Sequence, residues 1–325
     1  MYSSIVLSIV IGLAISACSV EPPNKASKYL SQSISKDFES IYAAANKSDP
    51  QAQFQLGSMY ENGEGVSQDK NKAAQWYKKA AEQGLADGQN ALGKLYFFNE
   101  TLEPVFNNSV SWFDKAANQG QSEAQYHMGF FYEKGYDRPI NNNQALKWYR
   151  KSAENGFAAS QFKLGTFYYY GNEVKQDFHQ ARQWYQKAAE QGDMEAQYNL
   201  GVIYEEGVNI NQDYKEAVKW YNKAAKQNYA AAQNNLGLLY YSGYGVEKNY
   251  EKAFELYEKA AIQGNVTAQI NVWGAYHLGV GVIKDEKKAE EWYQRAITEG
   301  GQEAQNIIDE LIDEGKAKVV FSRVR

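Results

Sequence analysis

The chain has 325 residues, 44% of them hydrophobic, which is enough length and apolar surface for an extensive core. A formal net charge of -5 without a clustered Lys/Arg patch excludes the ordinary means of holding a nucleic-acid backbone. The single Cys excludes an intrachain disulfide, and the even spread of 26 Tyr, 14 Phe and 7 Trp points to an internal repeat.

In chain order, residues 5–15 form an apolar run too short for a membrane-spanning helix of about 20 residues, but long enough for a signal-peptide core. Ile15, Ser16 and Ala17 then precede Cys18 in the order of a bacterial lipoprotein cleavage site. Small side chains suit the peptidase, and the Cys18 thiol would carry a diacylglycerol. Residues 1–17 are therefore expected to be a lipoprotein signal peptide and 18–36 a polar tether, although residues 1–4 contain no Lys or Arg. Ser19 next to the lipidated residue fits the periplasmic side of the bacterial outer membrane, held there through acyl chains.

Beyond the tether the sequence repeats every 36 residues without an insertion. Gly57, Gly93, Gly129, Gly165, Gly201, Gly237 and Trp273 mark one column. Tyr60 to Tyr276 mark a second, and Trp76, Trp112, Trp148, Trp184, Trp220, Leu256 and Trp292 a third. Each repeat reads as two helices. Ala52, Leu56 and Tyr60 share one face of the first, and Ala73, Tyr77, Ala80 and Ala81 share one face of the second. Gly57 leaves room for a neighbouring helix, Gly63 and Gly65 end the first helix, Asp69 caps the second and Gly84 closes the repeat. Such a pair cannot bury its own apolar stripe, so neighbours must stack. Residues 38–46 match a second helix and predict an N-terminal cap, while Gln302–Glu314 predict a C-terminal capping helix. The basic ending 316–325 reads as a solvated tail.

The unit A-x-x-x-L-G-x-x-Y-x-x-G-x-G-V-x-x-D followed by A-x-x-W-Y-x-K-A-A-x-Q-G, from Ala52 to Gly84, resembles the Sel-one-like repeat family, relatives of tetratricopeptide repeats. The resemblance covers roughly residues 37–315. It implies an all-α fold, an α/α solenoid wound as a right-handed superhelix of seven helix-turn-helix repeats with helical caps. Members of such families act as adaptors, and bacterial ones are often exported.

Function should lie where the repeats differ. At the two positions after the repeated tyrosine, repeats one, three and five carry Glu61-Asn62, Glu133-Lys134 and Glu205-Glu206. Repeats two, four and six carry Phe97-Phe98, Tyr169-Tyr170 and Tyr241-Ser242. By comparison with tetratricopeptide repeats this end of the first helix lines a concave groove, so acidic and aromatic patches there would suit an extended peptide or partner helix. These aromatics could equally be packing residues. Asn199, Asn235 and Asn271 succeed one another two residues before the glycine column. In the tetratricopeptide relatives, asparagines in this part of the first helix hold a ligand's backbone. An amide both donates and accepts, though an exposed helix also simply tolerates Asn. Leu256 and Trp273 exchange sizes, and Trp273 is expected to fill the space Leu256 leaves. The repeat-two turn, Asn99 to Pro104, lacks its glycines and is a candidate contact.

No nucleophile elbow, zinc-protease or phosphate-loop motif occurs. His127, His179 and His277 stand at different repeat positions, so neither a metal cage nor a cofactor is expected, and isolated histidines of this kind read as solvated or capping residues. The cysteine pairs of some exported relatives, linked to β-lactam binding, are absent. The expected function is a non-enzymatic, lipid-anchored scaffold for a protein or peptide partner. The alternative is a periplasmic immunity protein neutralising a cognate secreted phospholipase toxin. A cell-wall-associated enzyme is a third reading, without a catalytic motif to carry it.

Overall fold

A computed structural model describes residues 37–98 and 106–313. The signal peptide, Cys18, the tether, the Asn99–Pro104 turn and the basic tail lie outside the described residues. The chain divides into two compact units, one ending at Gln83 and the other beginning at Gly84. The first holds α1 (37–46), α2 (Pro50–Asn62) and α3 (Lys70–Glu82). The second begins with α4 (Ala86–Phe98), α5 (Phe106–Asn118), α6 (Ser122–Lys134), α7 (Asn142–Glu154), α8 (Ala158–Tyr170) and α9 (Phe178–Glu190). It continues with α10 (Met194–Glu206), α11 (Tyr214–Lys226), α12 (Ala230–Ser242), α13 (Tyr250–Ile262), α14 (Val266–Leu278) and α15 (Glu286–Asp313). Within the second unit, sequential helices pack as antiparallel neighbours in a helical-repeat solenoid. Among the described residues no helix is long and apolar enough to cross a membrane.

The helix boundaries follow from caps that recur with the repeat. The Asp69 carboxylate accepts the Lys72 N–H at 2.9 Å, as expected of an N-cap, and Asp177, Asp213 and Asn249 do the same for α9, α11 and α13. At the other end, Gly63 takes φ +75° and donates its N–H to the Met59 carbonyl, a left-handed ending open to glycine at little cost. A third bond closes the turn: the Asp69 N–H reaches the Tyr60 carbonyl at 2.8 Å, and Asn141 to Tyr132 and Asp177 to Tyr168 repeat it.

The glycine column is explained by one ring. A Cβ on Gly57 would lie 2.6 Å from Cδ1 of Tyr77, so the first helix can rest on the face of the second helix's tyrosine only because no side chain intervenes. Phe113, Tyr149, Tyr185, Tyr221 and Tyr257 take that place in the next five repeats. A second column was not foreseen. Gln53 is 3% exposed, donates to the Ala45 carbonyl and accepts from Gln83 Nε2 at 2.7 Å. Gln161, Gln197 and Gln233 are buried the same way, each accepting from the Gln at the end of its repeat. This ladder pairs buried amides that would otherwise be costly to desolvate.

Both caps form. Ala45 of α1 is buried against Ala52 and Leu56. α15 is broken at Gly301 (φ +61°, ψ -146°), beyond which Ala304 and Ile308 are buried in the terminal core. The Leu256/Trp273 expectation needs correction. Trp273 is buried, but it packs with Ala253, Tyr257 and Tyr276 and stacks on His277, whereas Leu256 belongs to a different cluster with Tyr221 and Leu239. The physical reason is position: the glycine column faces the ring of its own repeat, so Trp273 competes with Tyr293. Tyr293 is only half-buried and bonds Gln305 instead.

Candidate interaction face

The last two residues of each first helix point in different directions. The first of the pair faces inward. Tyr77 donates its hydroxyl to Glu61 at 2.6 Å, Tyr149 to Glu133 at 2.6 Å and Tyr221 to Glu205 at 2.7 Å. The acidic residues of repeats one, three and five therefore serve as acceptors for the buried ring of their own repeat. Repeat two has Phe113 there, with no hydroxyl to satisfy, and repeat four bonds Tyr185 to Thr166 at 3.2 Å. The alternation of acidic and aromatic residues is thus set largely by internal pairing. Burial first, then the neighbouring carboxylate, raises the pKa of Tyr77 and of Tyr149, so both hydroxyls remain donors. Burial pushes the Glu133 carboxyl up, but the bonds from Tyr149, Lys163 and Lys134 outweigh it and hold the pKa below its ordinary value.

Phe97, Tyr169 and Tyr241 occupy the same inward place and are half-buried. Phe97 meets Phe131 at 5.4 Å between centroids, Tyr169 meets Phe178 at 5.3 Å, and Tyr241 meets Tyr250 at 5.1 Å. They are packing residues, half-buried against these rings. The second of the pair faces outward in repeats one to five, while Ser242 in repeat six is half-buried. Phe98 and Tyr170 are each 65% exposed, and Lys134 and Glu206 are exposed at the equivalent positions. An aromatic, a cation, an aromatic and an anion thus follow one another along one edge of α4, α6, α8 and α10.

The asparagine column adjoins the buried tyrosines. Asn235 donates to the Tyr221 hydroxyl at 3.2 Å, joining the Glu205–Tyr221 pair, and Lys163 in the same column reaches Glu133 at 3.2 Å. Asn199 is half-buried. Asn271 is 0% exposed and donates to Asn234 at 2.9 Å, so its side chain is used inside the solenoid. His127 stands in this column too. It is 6% exposed, lies 4.4 Å from the Phe113 ring, and is held neutral by burial, which lowers its pKa to about 4. It is neither solvated nor a cap, unlike the sequence expectation. His277 meets Glu286 at 2.8 Å.

A cavity of about 510 Å³ lies beside this edge, with Glu133, Lys163, Thr166, Asn172 and Glu173 on its walls. Glu133 and Lys163 pair at 3.2 Å within its lining. Its oxygens and amides can bind polar groups, but no side chain in it forms a nucleophile–base pair. Among the described residues no group of three His, Cys, Asp or Glu side chains could hold a metal ion.

The buried glutamine ladder and the Glu–Tyr pairs were both missed at the sequence level. The sequence signal available was the invariance of Gln53, Gln89, Gln125, Gln161, Gln197, Gln233 and Gln269 at one repeat position, which is unusual for a solvent-facing residue.

The Sel1 repeat profile matches residues 50–85, 86–121, 122–157, 158–193, 195–229, 230–265 and 273–301. No curated protein sequence matches the chain. Among solved structures, a protective antigen of uropathogenic Escherichia coli strains with the same repeat fold is 31% identical, with a TM-score of 0.73, over 88% of this chain and 61% of that one. The present chain thus spans about three fifths of that antigen's length. A Sel1 repeat protein from Oxalobacter formigenes is 30% identical over 88% of this chain and 87% of that one, with a TM-score of 0.63. An immunity protein from Pseudomonas aeruginosa is 22% identical over 66% of this chain and 81% of that one, with a TM-score of 0.40, a similarity too low to bear on the partner. With seven matched repeats in register with seven helix pairs, the chain belongs to the Sel1 repeat family.

Proposed function

We propose that this chain is a non-enzymatic scaffold that holds another protein along the edge carrying Phe98 and Tyr170, and that it is tethered through lipidated Cys18 on the periplasmic side of the outer membrane. One observation carries the binding part of the proposal. The column aromatics Tyr77, Phe113, Tyr149, Tyr221 and Tyr257 are at most 2% exposed, whereas Phe98 and Tyr170 at the helix ends are 65% exposed. Large rings left in water at equivalent places, two repeats apart, are what a protein interface uses as anchors. The half-buried Phe97, Tyr169 and Tyr241 then form the floor behind them, with Asn199 and Asn235 at the side. The tether rests on the Ile15-Ser16-Ala17-Cys18 pattern.

A photoreactive amino acid placed at position 98 or 170 in the full-length protein in bacterial cells tests the proposal. A discrete crosslinked partner is expected from both positions and not from an exposed second-helix position such as Lys147. Its mass identifies whether it is a secreted phospholipase, as the immunity reading would require. Equal crosslinking at all three positions would contradict a defined face. Separately, Cys18→Ser is expected to release the protein from the membrane fraction and abolish incorporation of labelled fatty acid.

A further inference from the structure

The second helices carry a Trp–cation pair that recurs from repeat to repeat. Lys79 Nζ lies 3.7 Å from the Trp76 ring centroid, and Trp112/Lys115, Trp148/Lys151, Trp184/Lys187, Trp220/Lys223 and Trp292/Arg295 repeat the pair at 4.0–4.6 Å. A cation over an indole face is attracted by the ring quadrupole. Repeat six alone breaks the pattern: Leu256 replaces the Trp, while Lys259 keeps its place three residues on. Trp273 does not make up for the missing ring, because it is buried in the neighbouring core.

A cavity of about 390 Å³ lies beside Leu256, between α11, α12 and α13. Leu236, Tyr240 and Leu256 provide its apolar wall, and Lys226, Lys252 and Lys259 line it with ammonium groups. Lys252 pairs with Glu255 at 2.8 Å, and Lys226 and Lys259 enter no ion pair among the described residues. In repeat five the equivalent place is occupied by Trp220, 3% exposed and packed with Leu200 and Ile203. The other repeats therefore show what this site is shaped to receive.

We infer that the Leu256 cavity takes an aromatic side chain from a partner protein, carried in an acidic segment of that partner. The inference rests on the scaffold reading for the existence of a protein partner. The incoming ring lies against the half-buried Tyr240 and the rim left by Leu256, itself 6% exposed, with the Lys259 ammonium over its face, completing in trans the pair that six repeats make in cis. A neighbouring carboxylate on the partner meets Lys226, while Lys252 stays paired with Glu255. The two cations outside an ion pair, Lys226 and Lys259, select an acidic segment, and the apolar wall selects its ring over an aliphatic or polar side chain.

The probe is a short blocked peptide, Asp-Glu-Trp-Glu-Asp with a fluorinated indole, titrated against the full-length protein in detergent and followed by fluorine NMR. Saturable binding is expected. Replacing the peptide's Trp by Ala, or Leu256 by Trp in the protein, is expected to weaken binding about tenfold or more, and Lys259→Ala severalfold. Leu256→Trp should fold, since six repeats already carry Trp there. If it does not, the peptide pair and Lys259→Ala carry the test. Equal binding by the Trp and Ala peptides, undiminished binding to folded Leu256→Trp, or no saturable shift up to about 5 mM peptide would each overturn the inference. Crosslinking from position 170 that persists in a Leu256→Trp background leaves the scaffold reading standing while this inference falls, so the two fail separately.

Discussion

Replacing Gly129 by Ala tests whether the fit of glycine to ring organises the repeats. The new Cβ would lie 2.7 Å from both Cδ1 and Cε1 of Tyr149, well inside ordinary van der Waals contact. The ring cannot step aside cheaply, because it is 0% exposed and its hydroxyl is bound to Glu133 at 2.6 Å. Overpacking of this kind costs about 1–3 kcal/mol, and straining the hydroxyl bond adds about 1 kcal/mol. The better helix propensity of Ala offsets about 1 kcal/mol. The net expectation is a loss of about 2 kcal/mol. Gly93→Ala is the control. Its Cβ would stand 3.1 Å from Phe113, a looser contact with a ring that has no hydroxyl to anchor it, so overpacking and propensity nearly cancel, to within about 0.5 kcal/mol. Urea denaturation read by circular dichroism measures the difference. Hydrogen exchange across α6 and α7 would show whether the loss is local, since a repeat array need not unfold as one unit. If Gly129→Ala is as stable as the wild type, or Gly93→Ala is the more damaging of the two, the ring-on-glycine account is refuted.

Glu205→Ala should cost about 2–3 kcal/mol, because Glu205 is 6% exposed and the buried Tyr221 hydroxyl loses its acceptor; Glu205→Gln, which still accepts, should lose less in the same denaturation. His127 is held neutral with a pKa of about 4 against about 6.5 when unfolded, so its stabilisation is complete above pH 6.5 and is lost as the pH falls from there toward 4. Between about pH 7 and 5 this is worth about 2 kcal/mol, and His127→Phe should remove that part of the pH dependence of the urea midpoint. Glu173 has φ +57° where repeats one, six and seven have glycine. Glu173→Gly is therefore expected to raise stability by about 0.5–1 kcal/mol, seen as a higher melting temperature; a lower one would mean that its side chain, near Asn142, is what the loop needs.

The 36-residue period placed the helices nearly to the residue because each boundary has a local chemical cause: a side-chain cap at Asp69, a left-handed glycine at Gly63, an aromatic face opposite Gly57. What periodicity within a helix does not show is contact between helices. The Glu61–Tyr77 pair spans two helices of one repeat, and so a hydrogen bond that recurs in repeats one, three and five read as a groove pattern of acidic and aromatic patches. The Gln53–Gln83 pair was not drawn from the sequence, because the repeated Gln column marks a position under constraint without naming its partner, 30 residues away. Trp273 was matched with Leu256 by size alone, whereas which ring faces which glycine depends on the pairing of helices inside the repeat. For the candidate face, the sequence singled out Phe98 and Tyr170 together with Phe97 and Tyr169. Which member of each pair turns outward depends on helix phase at the turn.

The central claim, that the exposed ring edge binds a partner, is tested most directly by quantitative co-purification. Full-length wild type and the Phe98→Ala/Tyr170→Ala double variant would be compared for recovery of the partner crosslinked at position 170, with helix content and melting temperature measured on the same samples. Both rings are 65% exposed, so the variant should melt within a few degrees of the wild type. Recovery should fall about tenfold or more, as expected for loss of aromatic anchors. Undiminished recovery by a folded double variant would contradict the claim.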